Sequence, residues 1–266
     1  MIFLKNLFYL FKTIKGDIMK IISWNVNGIE STYKDGCLEE LIENETPDIL
    51  CIQEVKSKKE LPKLDGYDYV YNNPSKERGS GVAIYSKIKP IGCLKTMWPL
   101  QFDPNGRILT LKFPEFNLIT VYCPSGASDV DNLCYKYLFY DKFTQYIEKL
   151  DKPAIICGDF NRISQKIDAP NPDEMRKKSG FLPQEEAWFN YILTDYIDAF
   201  RYFNKDEVQF SWWSYRVGRD SHHGLRLDYF LVNNALEDNL LCSKILEKQQ
   251  GSDHAPIVLK VDFNKK

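Results

Sequence analysis

Long apolar runs are scarce in this 266-residue sequence, and low-complexity tracts are missing. Within residues 1–18 the longest uninterrupted apolar stretch is Leu7 to Phe11, too short to span a bilayer and marginal for a signal-peptide core. No small-residue cleavage site follows it. No membrane association is therefore expected, and residues 1–18 read as an extension upstream of a start at Met19, an amphipathic surface helix being the other reading. Histidine is rare, at three residues, and the seven cysteines show neither a Cys-x-x-Cys pair nor a zinc spacing with those histidines. An odd number of scattered thiols suits a reducing, cytoplasmic setting. Cys51 and Cys157, inside apolar runs, then act as small buried hydrophobes. Charge of one sign is not in excess either: 35 Lys plus Arg against 37 Asp plus Glu gives a formal net charge of −2. A chain-wide field for a polyanion is excluded, so such a partner must meet local patches. Three are present: Lys56, Lys58, Lys59 and Lys63; Arg176, Lys177 and Lys178; and Arg216, Arg219 and Arg226.

What the sequence does have is an alternation of short β-branched runs and amphipathic segments. The clearest run, Ala154-Ile155-Ile156-Cys157, reads as a strand buried on both faces, ended by Gly158 and followed by Asp159 and Asn161 on the emerging loop. Further strands are predicted over Lys20 to Val26, Asp48 to Ile52, Tyr67 to Tyr71, Gly81 to Ser86, Arg107 to Phe113, Asn117 to Tyr122, Leu227 to Val232 and Pro256 to Val261. The four between Tyr67 and Tyr122 lack intervening helices and should pair antiparallel. A short helix is centred on Leu38 to Ile42. Leu133, Tyr137, Tyr140, Thr144, Ile147 and Leu150 recur at helical spacing and mark the apolar stripe of a long helix. A third helix starts at Pro183, with acids in its first turn, and turns Ala187, Trp188, Tyr191 and Ile192 inward. The stretch between Asn161 and Gly180 is the longest irregular region. No linker or short repeat appears. The pattern predicts a single α/β domain over 19–263, with two stacked mixed sheets flanked by helices.

The strand ends deliver polar residues again and again: Asn25 and Asn27, Glu54, Tyr122, Asp159 and Asn161, Asp228, and Asp253 with His254. In open α/β sheets ligands sit beyond the carboxyl ends of strands. Each member has a plain reading as a turn, sheet or cap residue; the set is harder to explain by folding alone. Oxygen ligands without Cys or His pairs suit Mg²⁺ or Mn²⁺, with Glu54 the natural ligand. A lone histidine beside an aspartate suits a protonated imidazole facing an anion. Asp159 then remains to take a proton from water. Metal, base, amide donors and cation together match phosphodiester hydrolysis, which needs phosphoryl charge neutralised and a water held in line.

Seven short motifs stand together in order: Ile22-Ser23-Trp24-Asn25-Val26-Asn27-Gly28-Ile29, Leu50-Cys51-Ile52-Gln53-Glu54, Gly79-Ser80-Gly81-Val82-Ala83, Gly158-Asp159-Phe160-Asn161, Gly180-Phe181-Leu182-Pro183, Arg226-Leu227-Asp228-Tyr229 and Ser252-Asp253-His254-Ala255-Pro256. In order and spacing this set resembles the exonuclease III family of abasic-site (AP) endonucleases over about residues 19–262. The resemblance implies the four-layer α/β sandwich of the endonuclease/exonuclease/phosphatase superfamily. It also implies that Glu54 binds the metal with Asn27 and Asp253 nearby, and that Asn25 and Asn161 hold the phosphate. Asp159 would activate or orient water, His254 with Asp228 would contact the phosphate, and Tyr122 would brace it. Trp212, Leu225 and Leu227 would line the pocket for the baseless sugar, with Arg219 a further substrate contact.

The chain departs from that family after Asn161, where Arg162-Ile163-Ser164 replace a small apolar residue and Ala-His, and before Arg226, where Leu225 replaces a tryptophan. His222 and His223 read as loop residues, not ligands. The resulting expectation is a Mg²⁺-dependent DNA-repair enzyme, monomeric and without an obligate protein partner. It would act on double-stranded DNA at abasic sites or 3′ ends. A non-catalytic nucleic-acid-binding regulator resembling the catabolite-repression-control protein is the alternative, and a lipid or inositol phosphodiesterase is a third. The full set Glu54, Asp159, Asn161, Asp253 and His254 favours the enzyme.

Overall fold

Strands that are apolar at every position must be covered on both faces, and that requirement builds the molecule in layers. A computed structural model describes residues 18–57, 59–75, 79–97, 105–216, 218–219 and 223–264; residues 1–17 of the expected extension, Lys58 and His222 lie outside these. One sheet contains β1 (Met19–Asn25), β2 (Ile49–Gln53), β3 (Tyr69–Asn73), β4 (Val82–Ser86), β11 (Leu240–Ile245) and β12 (Ile257–Val261) in the order β11-β12-β1-β2-β4-β3. The other contains β5 (Gly92–Leu94), β6 (Ile108–Lys112), β7 (Asn117–Tyr122), β8 (Ala154–Asp159), β9 (Tyr196–Asp198) and β10 (Asp228–Asn233) in the order β5-β6-β7-β8-β10-β9. Each sheet is mixed: β1 with β2 and β7 with β8 run parallel, while the remaining neighbours run antiparallel. The helices are α1 (Ile29–Lys34), α2 (Cys37–Glu45), α3 (Val130–Ile147), α4 (Pro172–Met175), α5 (Pro183–Ile192) and α6 (Ala199–Phe203). None of the described helices is long and apolar enough to cross a membrane.

The layering follows strand alternation. In β2, Ile49 and Cys51 face the second sheet, while Leu50 and Ile52 pack with Ile29, Leu38 and Leu41 of the first two helices. In β8, Ile155 and Cys157 face the first sheet, while Ala154 and Ile156 pack with Phe139, Tyr140 and Phe143 of α3 and Phe189 of α5. The order helix, sheet, sheet, helix is the expected four-layer sandwich.

Several details differ from the sequence reading. The four predicted strands between Tyr67 and Tyr122 pair antiparallel as two separate pairs, β3 with β4 and β6 with β7, one in each sheet, and a short strand that was not predicted, β5, pairs antiparallel with β6. The buried positions of α3 are Lys136, Phe139, Tyr140, Phe143 and Ile147. The predicted stripe is therefore rotated: Leu133 and Tyr137 stand at its margin, and a lysine occupies its centre. In α5 it is Phe189 and Ile192 that are buried, whereas Ala187 is exposed and Tyr191 is 53% exposed. Apolar character alone could not choose between adjacent faces of helices this rich in aromatics. Gly158 does not end β8 either. The strand continues to Asp159, and Gly158 sits inside it with φ 138, where an added Cβ would collide with the Val121 carbonyl of β7.

Beneath the loops that follow β8 and precede β10 lies a buried ionic cluster. Arg226, fully buried, makes two hydrogen bonds to Asp168 (2.8 and 2.9 Å) and two to Asp198 (3.1 and 2.7 Å). Arg201 pairs with Asp168 at 2.5 Å. Burial pushes the Asp168 carboxyl up, but Arg226 and Arg201 outweigh it and hold its pKa below the usual carboxylate value. A carboxylate with a depressed folded-state pKa contributes stability that is present above the unfolded value and lost as the pH falls through the folded one. Asp168→Asn should therefore cost about 3–5 kcal/mol at neutral pH, because it leaves buried guanidinium charge uncompensated. The cost should shrink on acidification below about pH 4. Urea unfolding at pH 7 and at low pH checks both parts; an equal loss at both pH values would contradict the electrostatic account.

Candidate active site

Sheet register brings the distant polar residues together. Asp159 is the residue opposite Tyr122 in the parallel β7–β8 pair and opposite Asp228 in the antiparallel β8–β10 pair. A phenol and two carboxylates thus form one row across three neighbouring strands. From the facing sheet, the end of β1 supplies Asn25 and the residue after β2 supplies Glu54. The turns are tight. Asn27, Glu54 and Asn161 have φ of 49°, 52° and 49°, the left-handed region that few non-glycine residues occupy outside turns and functional sites.

The side-chain amides bind the site together from within. Asn25 Nδ2 donates to Glu54 Oε1 at 2.9 Å and to Asp159 Oδ2 at 3.0 Å, joining the two sheets. Asn161 donates its backbone N–H to Asp159 Oδ1 at 2.8 Å and its Nδ2 to Asp159 Oδ2 at 3.2 Å and the Cys123 carbonyl at 2.9 Å. Both asparagines, read from the sequence as phosphate holders, here direct their amide hydrogens onto the carboxylates. Glu54 also bonds Tyr122, whose hydroxyl has its pKa raised far above the usual value, chiefly by burial.

His254 lies over this row. Its Nδ1 is 2.9 Å from Asp228 Oδ2 and its Nε2 is 3.8 Å from Asp159 Oδ2. Burial disfavours its charge, but Asp228, Asp159 and Asp253 outweigh that, and its pKa stands at about 9. Burial pushes Asp159 up to about 7, the His254 charge opposing while Asp228 and Glu54 add to the rise. At neutral pH the site holds an imidazolium beside a carboxylate poised to exchange a proton.

Two groups of ligand atoms are arranged for a cation. Ligand atoms of Glu54, Asp159 and His254 lie within 4.8 Å of one another. Glu54 Oε2 accepts the Lys56 ammonium at 2.5 Å, and the same ammonium donates to Asn27 Oδ1, so a positive charge already sits between two of the expected metal ligands. The third, Asp253, stands one step away: Oδ1 accepts from Asn27 Nδ2 at 3.0 Å and Oδ2 from Trp212 Nε1 at 3.1 Å. Carboxylate and amide oxygens are the donors that hard divalent ions take, so the residues fit such an ion. Lys56, known from the sequence only as part of a surface patch, belongs to this site.

A model of the endonuclease/exonuclease/phosphatase family matches residues 22–254. The chain belongs to that family. It is 36% identical to an exodeoxyribonuclease of Bacillus subtilis over 252 residues, covering 92% of this chain and 100% of that one. It is 37% identical to the DNA repair nuclease APEX1 of Danio rerio over 253 residues, covering 91% and 81%. Among solved structures, an AP endonuclease from Archaeoglobus fulgidus superposes with a TM-score of 0.82 at 27% identity, covering 92% of this chain and 99% of that chain.

In this family member the predicted pocket residues are neighbours. Trp212 pairs by isolated bridges with Leu225 and His254. Trp212 and Leu225 pack on a small apolar cluster of Ile163, Ala169, Phe181 and Leu227, and the Trp212 bridge to His254 sets that cluster beside the carboxylate row. Ile163, from the segment that departs from the family pattern, is in the floor of that cluster, while Arg162 is fully buried against the Phe189 ring. Arg219 behaves differently from the sequence expectation. Its guanidinium donates to the main-chain carbonyls of Glu247, Gln249, Ser252 and His254 and stacks on Trp213, so it braces the loop that carries Asp253 and His254. Tyr215, not singled out in the sequence, is 74% exposed at the rim and accepts a hydrogen bond from Asn27. If Asp228 is the main support of the His254 charge, Asp228→Asn should lower the imidazole pKa by about 1–3 pH units. NMR titration of the ring protons in metal-free buffer measures it; an unmoved midpoint would mean that the other carboxylates suffice.

Proposed function

We propose that this chain is a divalent-metal-dependent DNA phosphodiesterase of repair, incising 5′ to abasic sites and acting at 3′ ends. The observation that carries the reading is the row of Tyr122, Asp159 and Asp228 closed by His254 on one side and Glu54 on the other. The names of its relatives, an exodeoxyribonuclease and a DNA repair nuclease, supply the substrate class. The non-catalytic binding role is not favoured, since every residue that hydrolysis requires is present and converges.

Glu54 and Asn27 would hold the ion, with Asp253 orienting Asn27. Mg²⁺ is the ion proposed, Mn²⁺ its substitute. Bound there, it would supply Lewis-acid stabilisation of charge on the phosphate. The protein's own part begins with Asp159, which takes the proton of the attacking water. A base with its pKa near the working pH combines availability with driving force. Asn25 and Asn161 fix the orientation of that carboxylate. His254, kept cationic by Asp228, faces the phosphoryl oxygens and offsets the charge that grows on them. Tyr122, held un-ionised, adds a neutral hydroxyl donor beside Glu54.

The test is a duplex carrying one abasic analogue. Incision should occur on its 5′ side, leave a 3′-hydroxyl and disappear in EDTA; β-elimination products, or full activity without metal, would refute the reading. Asp159→Asn should lower turnover by about 10²–10⁴ while DNA binding survives, because an amide cannot accept the proton. Near-wild-type turnover in that variant would remove Asp159 from the base role.

The apolar pocket makes a second expectation. Leu225 packs beside Trp212, and an indole at that position would narrow the space for a nucleotide that still carries its base. Leu225→Trp should raise the preference for abasic over undamaged DNA by the equivalent of about 1–3 kcal/mol, mainly in kcat/KM. Abasic cleavage and 3′→5′ digestion measured at one salt concentration give the ratio; an unchanged ratio places Leu225 outside the substrate's reach.

A further inference from the structure

Helix α3 carries a lysine at the centre of its apolar face. Lys136 is completely buried, four residues before Tyr140 and three before Phe139. Burial of an ammonium is costly unless it is paired and hydrogen-bonded. Lys136 is both. Its Nζ is 2.6 Å from Glu185 Oε1 and donates to the Asn161 carbonyl at 2.8 Å, the Ser125 carbonyl at 3.1 Å and Ser179 Oγ at 3.4 Å. Glu185, equally buried, accepts the backbone N–H groups of Gly180 and Leu182 at 2.7 and 2.8 Å, and Ser179 Oγ donates to the Ser125 carbonyl at 2.6 Å. Three turns that have no regular structure in common, 123–126, 159–162 and 179–182, therefore meet at one ion pair. The fit is close. Gly126 has φ 66, and a Cβ there would stand 2.9 Å from both Lys136 Cδ and Ser179 Oγ.

We infer that Lys136 is a positioning residue for the hydrolytic reaction, acting through Asn161 on Asp159. The Asn161 peptide is held on both sides. Lys136 donates to its carbonyl, while its N–H and its side-chain amide hold the Asp159 carboxylate, and the residue itself stands in the left-handed region at φ 49. An apolar residue in place of Lys136 would fill the core equally well but leave the Asn161 carbonyl unheld, free to turn and carry the amide off Asp159.

The inference rests on the functional reading above, and the experiment separates the two. The full chain is assayed on duplex DNA with one abasic analogue and Mg²⁺. The double variant Lys136→Met, Glu185→Gln removes both charges together and so avoids a lone buried ion. It should keep its melting temperature within a few degrees and its KM unchanged, while kcat falls about 10–100-fold, the usual effect of losing a supporting contact to a reacting group. Ser179→Ala, which loosens the same junction and leaves the ion pair in place, should lower kcat less, again without moving KM. It decides the matter if the double variant fails to fold. Wild-type kcat in either folded variant overturns the inference, as does a fall in kcat that merely follows the loss of folded protein. An inactive wild-type protein overturns the functional reading, and this inference with it.

Discussion

Four carboxylates crowded into one end of a sandwich are the constraint on which the rest depends. Glu54, Asp159, Asp228 and Asp253 converge from both sheets, and like charges at such distances repel strongly where water is scarce. The fold answers with positive charge placed among them, not with added distance: His254 between Asp228 and Asp159, Lys56 on Glu54. Amide hydrogens from Asn25 and Asn161 complete the compensation. The arrangement is stable as a set and unbalanced by any single loss. The surrounding carboxylates keep the imidazole charged, while burial, with Asp228 and Glu54 beside it, is what makes Asp159 easy to protonate.

Much of this was legible in the sequence, for definite reasons. A strand covered on both faces is a run of β-branched residues, and its end shows where Gly, Asn or an acid appears, so Glu54, Asp159, Asn161 and Asp228 could be picked out as strand-end residues. Their convergence was not derivable residue by residue, because it depends on which strands become neighbours. Tyr122, Asp159 and Asp228 form a row only through the β7–β8 and β8–β10 registers. What stayed illegible shares one property. Lys56, Lys136, Arg219 and Arg226 all look like surface cations in a linear reading, since lysine and arginine usually are. Each is defined by partners far along the chain: Lys136 by Glu185, Arg226 by Asp168 and Asp198, Arg219 by carbonyls between Glu247 and His254. The direction of an asparagine amide is equally a property of the folded neighbourhood.

Beneath the pocket, buried ion pairs serve as scaffolding for loops that have little regular structure. The cluster of Arg226, Asp168, Asp198 and Arg201 pins the segment leading into β10. The pair of Lys136 and Glu185 pins the turn after β8. Such pairs contribute little net stability over apolar replacements. What they supply is directional: hydrogen bonds with defined geometry at places where packing alone would tolerate several loop conformations.

The pairing of β1 with β12 sets Met19 against Val261 and Ser23 against Ile257 in the middle of the first sheet. The first and last of the described strands are therefore interior neighbours in one layer, and that layer cannot close until β12 is available. Synthesis proceeds from the N-terminus, so Glu54 and Asp159 leave the ribosome long before Asp253 and His254, which immediately precede β12. A nascent or truncated copy carries Asp159 without the imidazole that sits beside it in the finished molecule. Ordering the strands in this way makes competence the final event of the molecule's own assembly, and incomplete copies are left without a finished site.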